Sequence, residues 1–369
     1  MQCPHCSANL LYKERGGRCC RKCKQRFAFE PKTSPLKLHD LRFQRVVEKI
    51  SANGTIWYTP AQLHHALARK AVTEQKRRFG IIGCFSIIVA GVAIGVASDV
   101  SRSVFILTMI LCIGLVFLLI GVQQTRPFYR KLPVSPEDFS RRVLDEWRKT
   151  YNMLPRGLMT ADHPAHSSEY ALSPAQLKAV LVCPQRDILL FLKANGIPQQ
   201  YNMGLLPTEG PFTPAEETLL TTLRARPDLP LLLLHDASLS GVLLSQTIGM
   251  SLGVSSGHRI VDLGLRPSHV LQHKLMQLGA KPPPELLSIL TRRMHNTIAS
   301  GAPLSAEEFD WLKKGNYSPI LAVSPVRLLR VVINAMTKHS QPLPPSKEVG
   351  PEQQAQKQAQ AVGFMSWPQ

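Results

Sequence analysis

The chain begins MQCPHCSANLLYKERGGRCCRKCKQRF, with five of its eight cysteines inside the first 23 residues. Cys3-Pro-His-Cys6 and Cys20-Arg-Lys-Cys23 form two C-x2-C pairs separated by 13 residues. A C-x2-C turn places two thiolates on one side of a tight backbone loop. Two such loops facing each other supply the four sulfurs of a tetrahedral site, which Zn²⁺ accepts without a geometric preference of its own. Cys19 adds a fifth thiol, and Cys20 is assigned to the site because it restores the C-x2-C spacing. Redox chemistry and an iron–sulfur centre use the same residues, but paired knuckles with polar residues between them suit a closed structural site. A unit this small cannot fold on apolar contacts alone, so metal binding is expected to supply the missing free energy.

The stretch resembles a zinc ribbon over about residues 1–32, including the apolar run RFAFE after the second knuckle. The resemblance implies a structural Zn²⁺ on Cys3, Cys6, Cys20 and Cys23, in a recognition or docking module.

Other candidate groups lie further along. Three aspartates, Asp187, Asp236 and Asp262, follow apolar runs that read as strands, and could converge on a metal at the strand ends; each also suits a helix N-cap. Ser238, Ser240 and Gly241 in HDASLSG open a helix whose N-terminus could take a phosphate, or simply cap and turn. His64-His65 reads as a solvated helix face, since adjacent helical positions point in different directions. His163 and His166, with Asp162, occupy a polar loop that fixes no ligand geometry. There is no G-x-S-x-G, H-E-x-x-H or Cys/His nucleophile pattern.

The elements that position these groups follow from hydrophobic periodicity. AVLVC, LPLLLLHD and HRIVDLGL are apolar runs, each followed by a helical stretch, which indicates a parallel sheet covered on both faces. Further helices are expected over 284–299, 305–314 and 324–338. LLLLHDAS and the following HRIVDLGLRPSHV loosely resemble TOPRIM-type metal-dependent domains, as in the DNA-cleaving subunits of archaeal-type topoisomerases. That resemblance implies Mg²⁺ held by a Glu after the first strand and an Asp-x-Asp after the second. Here those strands end Cys183-Pro184-Gln185 and His235-Asp236-Ala237-Ser238, so the Glu is absent and one Asp remains.

Two uncharged runs, 79–98 and 103–122, each have the 20 residues needed to span a bilayer's hydrocarbon core of about 30 Å. Lys76, Arg77 and Arg78 precede them and Arg126, Arg130 and Lys131 follow, which puts both termini on the cytoplasmic side of an inner (plasma) membrane. The cysteines then face a reducing compartment. No signal-peptide pattern precedes them. Of the formal charge of +19, +12 falls in residues 1–78, with 17 Lys+Arg against 5 Asp+Glu. Lipid headgroups fit that basicity best, with nucleic acid a second possibility.

The expected organisation is a multi-domain α/β membrane protein: a zinc ribbon (1–32), a small helical module (35–78), a two-helix transmembrane hairpin (79–98 and 103–122), a cytoplasmic Rossmann-like or TOPRIM-like parallel-sheet domain (135–340), and a disordered Pro/Gln-rich tail (341–369). Ser/Thr-Pro or Ser-Ala motifs at 59, 135, 173, 213 and 305 mark helix starts. The expected function is that of a membrane-anchored adaptor or regulator presenting its α/β domain to a protein partner. The alternatives are a membrane-tethered metal-dependent enzyme acting on nucleic acid or nucleotides, and an accessory subunit of a membrane complex.

Overall fold

Five consecutive apolar residues form β1 (Ala179–Cys183), which is buried along its whole length. In the computed structural model, which describes residues 1–75, 110, 114, 129–167, 173–254, 257–297 and 304–339, β1 pairs in parallel with β2 (Met203–Pro207) and with β3 (Leu231–Leu233), and β3 pairs in parallel with β4 (Ile260–Asp262). The order β2-β1-β3-β4 means that the chain leaves β1 in one direction and returns to its other side. The carboxyl ends of β1 and β3 therefore flank the point where the winding reverses.

Alternate residues of the strands feed two cores. Leu181, Cys183, Leu232, Leu234 and Val261 pack with Ile188, Phe191 and Leu192 of α5 (Arg186–Ala194) on one face. Val180, Val182, Leu231 and Leu233 pack with Leu220 and Leu223 of α6 (Pro214–Ala225) on the other. Helix α7 (Leu239–Leu252) contributes Leu239 and Leu243 to the first core, and Ile248 and Leu252 to the second. The period of two and the burial of both faces explain why these strands read as continuous apolar runs.

A third core is built from both sides of the central apolar stretch of sequence. Phe43, Val47 and Ile50 of α1 (Asp40–Ile50) and Leu63, Leu67 and Val72 of α2 (Pro60–Thr73) pack with Phe139, Val143 and Trp147. These last three belong to a helical run made of α3 (Pro136–Phe139), a π-helical turn (Ser140–Leu144) and α4 (Asp145–Tyr151). Thr59 and Gln62 form the expected capping box at α2, with Thr59 N–H donating to Gln62 Oε1 at 2.9 Å and Gln62 N–H to Thr59 Oγ1 at 3.2 Å. Thr213 and Ser305 cap their helices in the same way, Ser135 accepts from the Asp138 N–H, and Ser173 makes no side-chain cap.

The expected membrane architecture, the inner-membrane localisation and the solvated His64-His65 face are corrected. Residues 1–73 and 131–369 form one unit by their contacts, and 74–130 a second. Among the described residues no helix is long and apolar enough to cross a membrane. The longest, Pro325–His339, has 15 residues and spans about 22 Å, short of a hydrocarbon core of about 30 Å. The fold class is α/β with a parallel sheet, and the membrane architecture and inner-membrane localisation are not supported. The runs 79–98 and 103–122 lie outside the described residues apart from Ile110 and Gly114, as does the tail 341–369. His64 and His65 are also buried, at 2% and 9% exposure, not solvated; α2 is enclosed on more of its circumference than the spacing of its leucines suggests.

Candidate metal centre

Both knuckles repeat one backbone design, offset by 17 positions. Cys3 N–H donates to Ala8 O at 2.9 Å and Ser7 N–H to Cys3 O at 3.1 Å; Cys20 N–H donates to Gln25 O at 2.9 Å and Lys24 N–H to Cys20 O at 2.9 Å. Ser7 and Lys24, the residues after each second cysteine, both turn through positive φ (57° and 60°). Isolated antiparallel bridges Gln2–Asn9 and Cys19–Arg26 close the two loops equivalently. Cys19 is thus the counterpart of Gln2, outside the knuckle, and its thiol lies 3.0 Å from Lys24 O.

The Sγ atoms of Cys3, Cys6, Cys20 and Cys23 all lie within 4.8 Å of one another. The cross-knuckle pairs Cys3–Cys23 and Cys6–Cys20 are each 3.8 Å apart. Sulfurs about 2.3 Å from a tetrahedral Zn²⁺ are separated by about 3.8 Å along each edge, whereas a disulfide requires about 2.05 Å. The cluster therefore has the dimensions of a metal site, and the cysteines are free thiols. Without a cation Cys20 and Cys23 are driven in opposite directions. Cys20 is lowered to about 7, first by the backbone N–H of Cys23. Cys23 is lowered by the Gln25 N–H but pushed up to about 12 by burial and the neighbouring thiols. A divalent cation removes that conflict, because it stabilises every thiolate at once.

Helices α1 and α4 seat this unit. Asp40, the first residue of α1 and fully buried, accepts the N–H groups of Ala28 (2.8 Å) and Phe29 (2.9 Å) just after the second knuckle, and also the Tyr151 hydroxyl. Arg18 reaches Ala28 O at 3.1 Å and Glu146 at 2.5 Å. His5 stacks on Tyr151, which packs against Trp147, and Trp147 against Phe43 at 4.4 Å. Asp40 and Glu146 were not singled out from sequence, because a lone acid at a helix start reads only as a favourable dipole partner.

The three aspartates are placed differently from a Mg²⁺ set. Asp187 is exposed in the first turn of α5. Asp236, after β3, accepts the Ile320 N–H at 2.7 Å on one oxygen and the Gln185 amide at 3.4 Å on the other. Asp262, at the end of β4, accepts the Gly264 N–H at 2.8 Å and pairs with His235 Nε2 at 3.0 Å, an ion pair too oblique for a well-aligned hydrogen bond. His235 Nδ1–H donates to Asp236 O at 2.8 Å. The ring fits only because residues 241 and 264 lack a Cβ: one on Gly264 would come within 2.1 Å of Nε2, and one on Gly241 within 2.8 Å of Nδ1. Among the described residues, the four cysteines are the only group of three or more His, Cys, Asp or Glu arranged to hold a metal. Ser238 accepts from the Gly241 N–H and so caps α7. His163 stacks edge-on against Trp57.

No protein-family model matches this chain, and no curated protein matches it either. The TOPRIM resemblance therefore gains no support from relatives.

Proposed function

We propose that this chain is a zinc-stabilised binding protein and not an enzyme. Zn²⁺ on Cys3, Cys6, Cys20 and Cys23 would supply folding free energy to residues 1–32, and the parallel-sheet domain would present a surface to a protein partner. The observation that carries the metal assignment is the pair of 3.8 Å cross-knuckle Sγ separations, the edge length of a zinc–thiolate tetrahedron. The non-catalytic assignment is supported by Asp236, whose two oxygens are both engaged inside the protein by Ile320 and Gln185. Among the described residues, Asp236 also belongs to no group of three or more potential ligands that could share a catalytic Mg²⁺.

The rival enzyme reading draws on one feature: His235, Asp236 and Asp262 all lie at the carboxyl ends of β3 and β4, the edge where parallel sheets bind ligands. The purified chain is assayed with Mg²⁺ or Mn²⁺ on DNA, RNA and nucleotides, beside Asp236→Asn. The binding-protein reading predicts background turnover for both. Metal-dependent turnover abolished by Asp236→Asn would overturn it.

A further inference from the structure

The two knuckles share a backbone but not a charge. Equivalent residues lie 17 positions apart, so Pro4, His5, Ser7 and Asn9 of the first correspond to Arg21, Lys22, Lys24 and Arg26 of the second. The match extends to the ends of each loop, where Leu10 N–H donates to Met1 O at 2.8 Å and Phe27 N–H to Arg18 O at 3.0 Å. A neutral loop and a loop of four cations therefore make the same turn. The charge is not needed to build it.

Arg21, Lys22, Lys24 and Arg26 are all exposed, and among the described residues their side chains make no ion pair or hydrogen bond. The other arginines of the unit are engaged, Arg15 with Glu30 at 3.1 Å and Arg18 with Glu146 at 2.5 Å. Glu14, the one acid among residues 1–29, accepts the Leu11 N–H at 2.8 Å. Lys24 also holds a left-handed φ of 60°, which a long cationic side chain does nothing to ease.

Neutralising the metal site does not account for these cations. A dication on four thiolates leaves a net negative charge that both knuckles share equally, yet the unpaired cations of the knuckles sit on one of them. Stability does not account for them either. The Cys20 N–H to Gln25 O bond of 2.9 Å closes the loop and holds Arg21, Lys22 and Lys24 in one tight turn, where like charges repel.

We infer that the second knuckle binds the phosphodiester backbone of nucleic acid without reading its sequence. A strand with condensed counterions gains affinity from cations alone, since each phosphate neutralised releases counterions. A folded acidic protein lacks that gain and is held by buried apolar and aromatic anchors. The second knuckle has none to offer, because between and after its cysteines stand Arg21, Lys22, Lys24, Gln25 and Arg26. It likewise has no apolar side chain to enter a lipid surface. The Tyr12 ring in the turn between the knuckles is taken by the Lys32 ammonium, 3.8 Å from its centre, so bases find no free stacking face there. The inference goes beyond the proposed function by giving the zinc unit a partner of its own, and it rests on that reading for the metal alone.

The full zinc-loaded chain is titrated by fluorescence anisotropy against labelled duplex DNA and single-stranded RNA, each in two unrelated sequences, and against labelled polyglutamate; co-sedimentation tests phosphatidylglycerol vesicles. Both nucleic acids should bind, with the two sequences within about twofold of each other. Log affinity should fall against log salt with a slope of about −3 to −4, a loss on the order of a hundredfold between about 50 and about 200 mM. Arg21→Gln/Lys22→His/Lys24→Ser/Arg26→Asn, whose last three changes copy the first knuckle, should keep its zinc and bind at least about tenfold more weakly. Lys274→Gln/Lys281→Gln/Lys313→Gln/Lys314→Gln removes as much exposed charge elsewhere and should stay within about twofold of wild type. Lys22→Gln alone should reduce the slope by about 1, and it decides the matter if the fourfold knuckle variant loses its metal. Zinc content is read on the same samples, so failure of the metal assignment and failure of this inference are told apart. No binding of nucleic acid by the zinc-loaded chain, tighter binding of polyglutamate or vesicles, a preference between sequences beyond about tenfold, an unchanged slope in Lys22→Gln, or equal weakening by the two fourfold variants would each overturn the inference.

Discussion

His235 and Asp262 are the residues whose charge state most directly bears on stability. Burial alone would lower His235, but the Asp262 carboxylate outweighs it and the imidazole is held above its ordinary value. Burial raises Asp262, and His235 more than reverses this, leaving it below the usual carboxylate range. His235 therefore contributes fully below about pH 6.5 and loses that contribution as pH rises through its raised value; Asp262 contributes above about pH 4 and loses it as pH falls. The pair is strongest between those limits. Asp262→Asn should cost on the order of 2–4 kcal/mol there, by leaving His235 buried and uncompensated. In urea unfolding the difference from wild type should narrow on the alkaline side. A difference that does not vary with pH would show that the contact is not ionic. Neither residue's role was legible in sequence, since the contact joins two strands and depends on the missing Cβ atoms at Gly241 and Gly264. The choice of Cys20 over Cys19, by contrast, followed from spacing alone, and the knuckle geometry places the Cys20 thiol in the cluster and the Cys19 thiol on Lys24 O.

At the scale of elements, apolar runs located β1 and β3 because buried parallel strands carry no polar face. β4 was located through its Ile260-Val261 pair, although that strand is only half-buried and ends on Asp262. β2 was missed because its MGLLP contains Gly and Pro, which read as turn residues. Its glycine has a packing reason, as a Cβ on Gly204 would meet the Leu219 side chain at 2.6 Å. The amphipathic helix after residue 135 was visible, but not its π turn, which changes side-chain phase without changing composition. Helix α2 was placed by its capping box, while its histidines were misjudged. Burial lowers His64 to about 4, and its ring stacks on Phe139 with 4.6 Å between centroids. The unfolded chain therefore takes up a proton that the folded chain resists, and His64 subtracts stability as pH falls from about 6.5 towards 4. His64→Phe should flatten this acid limb, while its effect near pH 8 is set by the loss of the ring's hydrogen bond to the Val134 backbone against the gain of removing the unpaired Nε2. Thermal unfolding at a series of pH values checks this, and an acid limb as steep as wild type would count against it.

In the whole molecule the cysteine unit is tied to the helical core through Asp40, Arg18 and the His5–Tyr151–Trp147 stack. The sheet's two cores draw on other residues. Zinc removal should then act unevenly. Hydrogen exchange after chelation should rise most over residues 1–32, less over α1 and α4, and least over β1 and β3. A uniform rise would mean that the metal supports the entire fold. The most direct test of the central claim is the metal content of the purified chain and two variants. The account predicts one zinc per chain, retained by Cys19→Ser and lost by Cys20→Ser; absence of zinc from the wild type, or equal retention by the two variants, would contradict it.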